Sequence, residues 1–258
     1  MSGLIAHRGL LGASAVLFAA SATITVVWCG SMASMPGMEM PGGWTMSMAW
    51  MRMPGQSWPG AATTFLGMWV VMMVAMMLPV LVPMLMRYRA AVAESGDPLF
   101  RDTALVAAGY YFAWTLAGVA AYPLGLALAA AEMRFPALAQ TVPLATGSVV
   151  LIAGLLQFTS WKNRRLACCR AASVRPLRGD AHTAWRHGLR LGLNCVHCCA
   201  GLTATLLVLG IMDLRAMAVI TLATSAERLP LAGKHLARCA GVFLIAGGLW
   251  TIARAVAP

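Results

Sequence analysis

Apolar residues run along this chain in blocks as long as a bilayer is thick. Windows free of Asp, Glu, Lys and Arg cover 9–38, 53–86, 103–131, 135–161 and 191–212. Crossing a hydrocarbon core of about 30 Å takes roughly 20 helical residues, and each of these windows meets that length. Two shorter windows follow at 216–226 and 239–253, bounded by Arg or Glu. The pattern predicts seven helices, near 10–28, 64–86, 103–130, 144–161, 190–211, 214–227 and 236–255. The sixth spans only if Arg215 and Glu227 lie near the interfaces; otherwise it is broken or re-entrant and the count falls to six. The first apolar run is longer than the core of a signal peptide and no A-x-A cleavage site follows it, so it reads as a retained helix.

Composition agrees. The chain is 60% hydrophobic and 10% charged, which a soluble domain of 258 residues does not need. The expected fold class is all-α: a polytopic transmembrane helix bundle of about seven spans, in a single membrane domain over 1–258.

The net charge of +11 follows topology. With the N-terminus in the cytoplasm, 15 of the 19 Lys and Arg residues fall on inner segments, which satisfies the positive-inside rule. Loop 29–62 is then external and loop 162–189 cytoplasmic, basic, and suited to contact anionic lipid headgroups. Basic loops of this kind are topology signals, so nucleic-acid binding is excluded. No Walker-type or dinucleotide glycine motif is present, and no paired carboxylates or nucleophile–base set appears in the spans, so catalysis is not indicated.

Sulfur changes the picture. Eight of nineteen methionines lie in Met32–Met53, among Gly, Pro, Ser and Trp. Met35, Met38, Met40, Met46 and Met48 are the central ones. A segment so broken by Gly and Pro is not expected to build a core, and a flexible display of thioethers is a soft-ligand site that favours Cu(I). A second group, Met72, Met73, Met76 and Met77, sits in the second span just before Pro79. Met68, Met72 and Met76 share one face.

Cysteines concentrate at the other end. Asn194-Cys195-Val196-His197-Cys198-Cys199 places Cys195, Cys198 and Cys199 on one helical face by their i, i+3, i+4 spacing. A lone membrane cysteine is usually a small packing residue; three in five residues point to metal or redox chemistry. His197 is offset from that face and joins only a distorted helix. Cys168-Cys169 follows the fourth span, and Cys169 is the candidate to cap the site from the loop. Met76 and Met77 lie about ten residues from the inner end of their helix, a depth similar to Cys198 and Cys199, so thioethers and thiols meet if the two helices are neighbours. Gln157 reads as a supporting polar partner, Lys162 as a snorkelling residue, and Glu227 as a partner for Arg228 or Lys234.

These residues resemble the predicted metal-binding integral membrane proteins of bacteria, one branch of which serves as a membrane copper chaperone for tyrosinase, a polyphenol oxidase. The resemblance covers roughly 64–248. It rests on MMVAMMLP at 72–79, QFTSWK at 157–162 with CR at 169–170, GLNCVHCC at 192–199, GIMDL at 210–214 and ERLPLAG at 227–233. The family's Cys-Leu-x-x-Cys-Arg has Arg165 at its first cysteine position here, and His197, Ala200 and Asp213 also depart from the pattern. The resemblance leaves Cys195, Cys198, Cys199 and Cys169 as the ligand set, supplemented by His197. It implies copper, held as Cu(I), in the bacterial inner membrane, with a tyrosinase-like cuproenzyme as partner. The expected function is a Cu(I) chaperone or delivery factor, or one that moves copper across the membrane. The rivals are a thiol–disulfide oxidoreductase using Cys195 and Cys198, and a structural subunit of a larger membrane complex.

Overall fold

The computed structural model describes residues 2–33, 37–52, 55–92, 99–171, 180–228 and 233–256. Among them are eight α-helices: α1 (Ser2–Ala33), α2 (Trp58–Val92), α3 (Leu99–Arg134), α4 (Pro136–Leu156), α5 (Ser160–Ala171), α6 (Ala181–Leu209), α7 (Leu214–Glu227) and α8 (Gly233–Val256). Six of the eight, all but α5 and α7, are long and apolar enough to cross a membrane. Helix α7 has 14 residues, or about 21 Å at 1.5 Å per residue, which is short of the core thickness. The lower of the two expected span counts therefore fits the helices.

Local chemistry sets the boundaries. Pro136 opens α4, where its missing N–H costs no helical bond. Gly210, at a φ of +127°, ends α6. The Asp213 side chain accepts hydrogen bonds from the backbone N–H groups of Arg215 and Ala216 and caps α7. α4 starts at Pro136 rather than near residue 144 and stops at Leu156. A separate helix, α5, occupies part of the segment expected to be a cytoplasmic loop.

α2 is the central helix, with one face buried from Ala61 to Val92 and Pro79 and Pro83 inside it. It packs against α1, α3 and α7, whereas α6 packs mainly on α3 and α4, and α4 on α8. Glycines bring these pairs together. A Cβ at Gly188 would collide with the Val106 carbonyl, and one at Gly192 would come within 2.6 Å of the Tyr110 carbonyl oxygen, so α6 lies directly on the α3 backbone. Outward-facing side chains such as Val16 and Phe243 stay exposed, as a lipid-facing surface requires.

The methionine-rich segment departs from expectation. It holds a small hairpin, β1 (Met38–Met40) antiparallel to β2 (Trp44–Met46). Trp44 Nε1 donates to the Ala139 carbonyl at 2.9 Å. Met40 and Met46 are buried with Ala129 and Ala139. The expectation that no core forms here is corrected: Trp44 anchors the hairpin to α4, and two of the methionines pack. Met38 is exposed. Met35, and the side chain of Met48, lie outside the described residues.

Candidate metal centre

The thiols of Cys195, Cys198 and Cys199 face inward from the middle of α6, and Cys169 reaches the same place from α5. All four are at most 2% exposed. Helix periodicity accounts for the first three, since α6 is unbroken over Ala181–Leu209. Cys195 Sγ and Cys199 Sγ stand 3.9 Å apart. Cys198 and Cys169 belong to the same buried core as that pair. None of the four is disulfide-bonded. Two thiolates on one ion at a metal–sulfur distance of about 2.3 Å sit roughly 3.8–4 Å apart, so the Cys195–Cys199 pair fits a shared ion without moving. Among the described residues, no three His, Cys, Asp or Glu side chains are collectively spaced as a finished metal site.

Two residues outside the set expected from the sequence surround Cys195. Tyr110 Oη is 2.9 Å from Cys195 Sγ, held there by the close α3–α6 contact. Arg228, just past α7, donates to Cys195 Sγ at 2.9 Å and lies 3.8 Å from Cys199 Sγ. Its other terminal nitrogen lies 3.8 Å from Met84 Sδ. Met84 lies eight residues beyond Met76 on α2, with Val80 between them, so the methionine spacing did not single it out. Arg228 belongs to the ERLPLAG motif. Tyr110 carried no signal, because a tyrosine in an apolar span is commonplace.

A buried polar relay supports the cluster. Lys162 Nζ donates to Glu227 Oε2 at 2.8 Å and to the Cys198 carbonyl at 2.7 Å. Gln157 Nε2 donates to Glu227 Oε1 at 2.8 Å. Lys162 is therefore inserted rather than snorkelling, and Glu227 pairs with it rather than with Arg228 or Lys234. Burial alone would discharge Lys162, but the Glu227 carboxylate outweighs it and raises the ammonium above its ordinary pKa. The Cys169 thiol is held below its ordinary value, chiefly by its hydrogen bond with Cys198, with help from the Arg228 charge and against burial.

Other candidates fall elsewhere. His197 is on the exposed face, its ring N–H donating to the Leu193 carbonyl at 2.7 Å. Because α6 is undistorted, the condition for His197 to join the thiols is not met. Met72, Met73, Met76 and Met77 are buried in the same apolar core as the thiols. α2 and α6 are not principal packing partners, so the premise that these two helices are close neighbours is corrected; Met84 is the α2 sulfur that Arg228 ties to the cluster.

The helical bundle thus buries four free thiols, with the cations Lys162 and Arg228 alongside. The family model of the PpoB2 copper chaperones matches residues 66–251, and the chain belongs to that family. No curated protein and no solved structure matches it.

Proposed function

We propose that this chain takes up copper as Cu(I), holds it among Cys195, Cys198, Cys199 and Cys169, and passes it to a tyrosinase-like cuproenzyme. The observation that carries this reading is the burial of four thiols from α5 and α6 in one core, two of which, Cys195 and Cys199, face the Arg228 guanidinium. Soft thiolates select Cu(I) over harder ions. Each thiol that binds releases its proton, so uptake is favoured where those protons can leave. In this reading the N-terminus is cytoplasmic in a bacterial inner membrane, and the thiols lie in the inner half of the bilayer. Met38 and its neighbours in the external segment collect the ion. The buried α2 methionines Met68, Met72, Met73, Met76, Met77 and Met84 lie between collection and storage. Ligand exchange between two- and three-coordinate sulfur needs no nucleotide.

The test is reconstitution. Copper-loaded chain in liposomes, mixed with a copper-free tyrosinase, should restore oxidase activity. The Cys195→Ser/Cys198→Ser/Cys199→Ser protein, given the same copper, should not. Equal activation by both proteins contradicts the reading.

A further inference from the structure

A second group of sulfur atoms meets away from the thiol cluster. Cys29, near the end of α1, is 3% exposed, and its thiol points at Met212 Sδ, 3.8 Å away. Met212 lies in the turn between α6 and α7. Beside it is a cavity of about 60 Å³, lined in part by Met32, Met51, Met68 and Met212. A single water needs roughly 10–15 Å³ measured this way, so there is room for an ion. Met212 precedes the first turn of α7 and Arg228 follows its last, so about 21 Å of helix separates this group from the thiols.

The chemistry of the lining is selective. Four methionines line the cavity together with Gln56, Thr64 and Tyr122, Cys29 adjoins it through Met212, and no carboxylate or imidazole is among the lining residues. Hard cations and zinc prefer carboxylate and imidazole donors, which this place lacks. Methionine has three rotatable bonds and a polarizable sulfur, so these side chains can turn onto a guest from a partly open wall. A methionine that only fills core space would be packed on all sides; these border a void. The donors come from α1, the external segment, α2 and the α6–α7 turn, so only the folded chain assembles them.

We propose that Cys29, Met68 and Met212, with Met32 and Met51 at the rim, form a second Cu(I) site distinct from the thiol cluster. This rests on the reading that the chain handles Cu(I). Binding replaces the Cys29 thiol proton with the cation and releases that proton to water, so the charge of the apolar site does not change. Met68 and Met84 are both buried on α2, about 24 Å apart along the helix axis, and Met84 adjoins Arg228.

Anaerobic titration of the full-length chain in detergent with Cu(I), against a chromophoric Cu(I) chelator, tests the proposal. The wild type should bind in two steps. Cys29→Ser/Met212→Leu should lose one step and keep the other. Met212→Leu alone, nearly isosteric and expected to fold, should weaken the same step by roughly tenfold or more. Cys195→Ser/Cys198→Ser/Cys199→Ser should lose the other step only. Unchanged two-step binding in the Cys29 and Met212 variants overturns the second site and leaves the thiol reading intact. Loss of a step in those variants, with no loss in the triple-serine protein, supports the second site and contradicts the thiol reading.

Discussion

The guanidinium of Arg228 donates a 2.9 Å hydrogen bond to the thiol sulfur of Cys195. A buried cation is costly unless an anion accompanies it. The only carboxylate among the described residues in this relay, Glu227, is engaged by Lys162. Two cations and one carboxylate leave a positive excess beside the thiols, and a positive charge there favours the thiolate, the form that binds metal.

Removing that cation should therefore weaken copper binding. Arg228→Met is expected to lower Cu(I) affinity by roughly tenfold or more, while Arg228→Lys keeps more of it. Chelator competition at neutral pH reads both values. Equal affinity in Arg228→Met and wild type would show that the guanidinium is only a packing element.

The Lys162–Glu227 pair should behave as a buried ion pair. Lys162→Met or Glu227→Gln alone leaves an uncompensated charge and should cost about 3–5 kcal/mol. Lys162→Met/Glu227→Gln should cost clearly less than the sum of the two single changes. Thermal unfolding in detergent measures this; strictly additive losses would mean the pair is not coupled.

Gly192 fixes how closely α3 and α6 approach, and through it the Tyr110–Cys195 contact. Gly192→Ala should push the helices apart and cost about 1–3 kcal/mol, with a parallel fall in Cu(I) affinity. Tyr110→Phe should cost about 1 kcal/mol through the lost hydroxyl and leave the helix packing unchanged. An unaltered affinity in Gly192→Ala would show that the α3–α6 contact does not position the thiol.

His197 and Met84 make opposite predictions. His197→Ala should leave copper stoichiometry and affinity unchanged, because the ring faces outward. Met84→Leu should weaken binding by about threefold to tenfold, because its sulfur adjoins the cation that faces the thiols. A large loss in His197→Ala, measured in the same competition assay, would mean that α6 rearranges around the ion.

The sequence made the spans legible because a charge-free run of bilayer length is far more apolar than a soluble fold can bury. It made the inward face of Cys195, Cys198 and Cys199 legible because helical spacing alone places them together. It could not show which helices are neighbours. That depends on Gly188 and Gly192 meeting the backbone of α3, and such contacts join residues some 80 positions apart. For the same reason Met84 beside Arg228 was not foreseen, Lys162 reads from the sequence as snorkelling, and Glu227 reads as a partner of Arg228 or Lys234. The hairpin was missed because Trp44 finds its acceptor on α4, a tertiary hydrogen bond that no local pattern announces.

The most direct measurement is copper content. Chain purified from copper-supplemented cells, dialysed and analysed for metal, should carry copper held by sulfur alone in its X-ray absorption spectrum. The Cys195→Ser/Cys198→Ser/Cys199→Ser protein, folded to the same melting temperature, should lose that thiolate-bound copper. Full retention of copper with an unchanged spectrum in the serine protein would contradict the account.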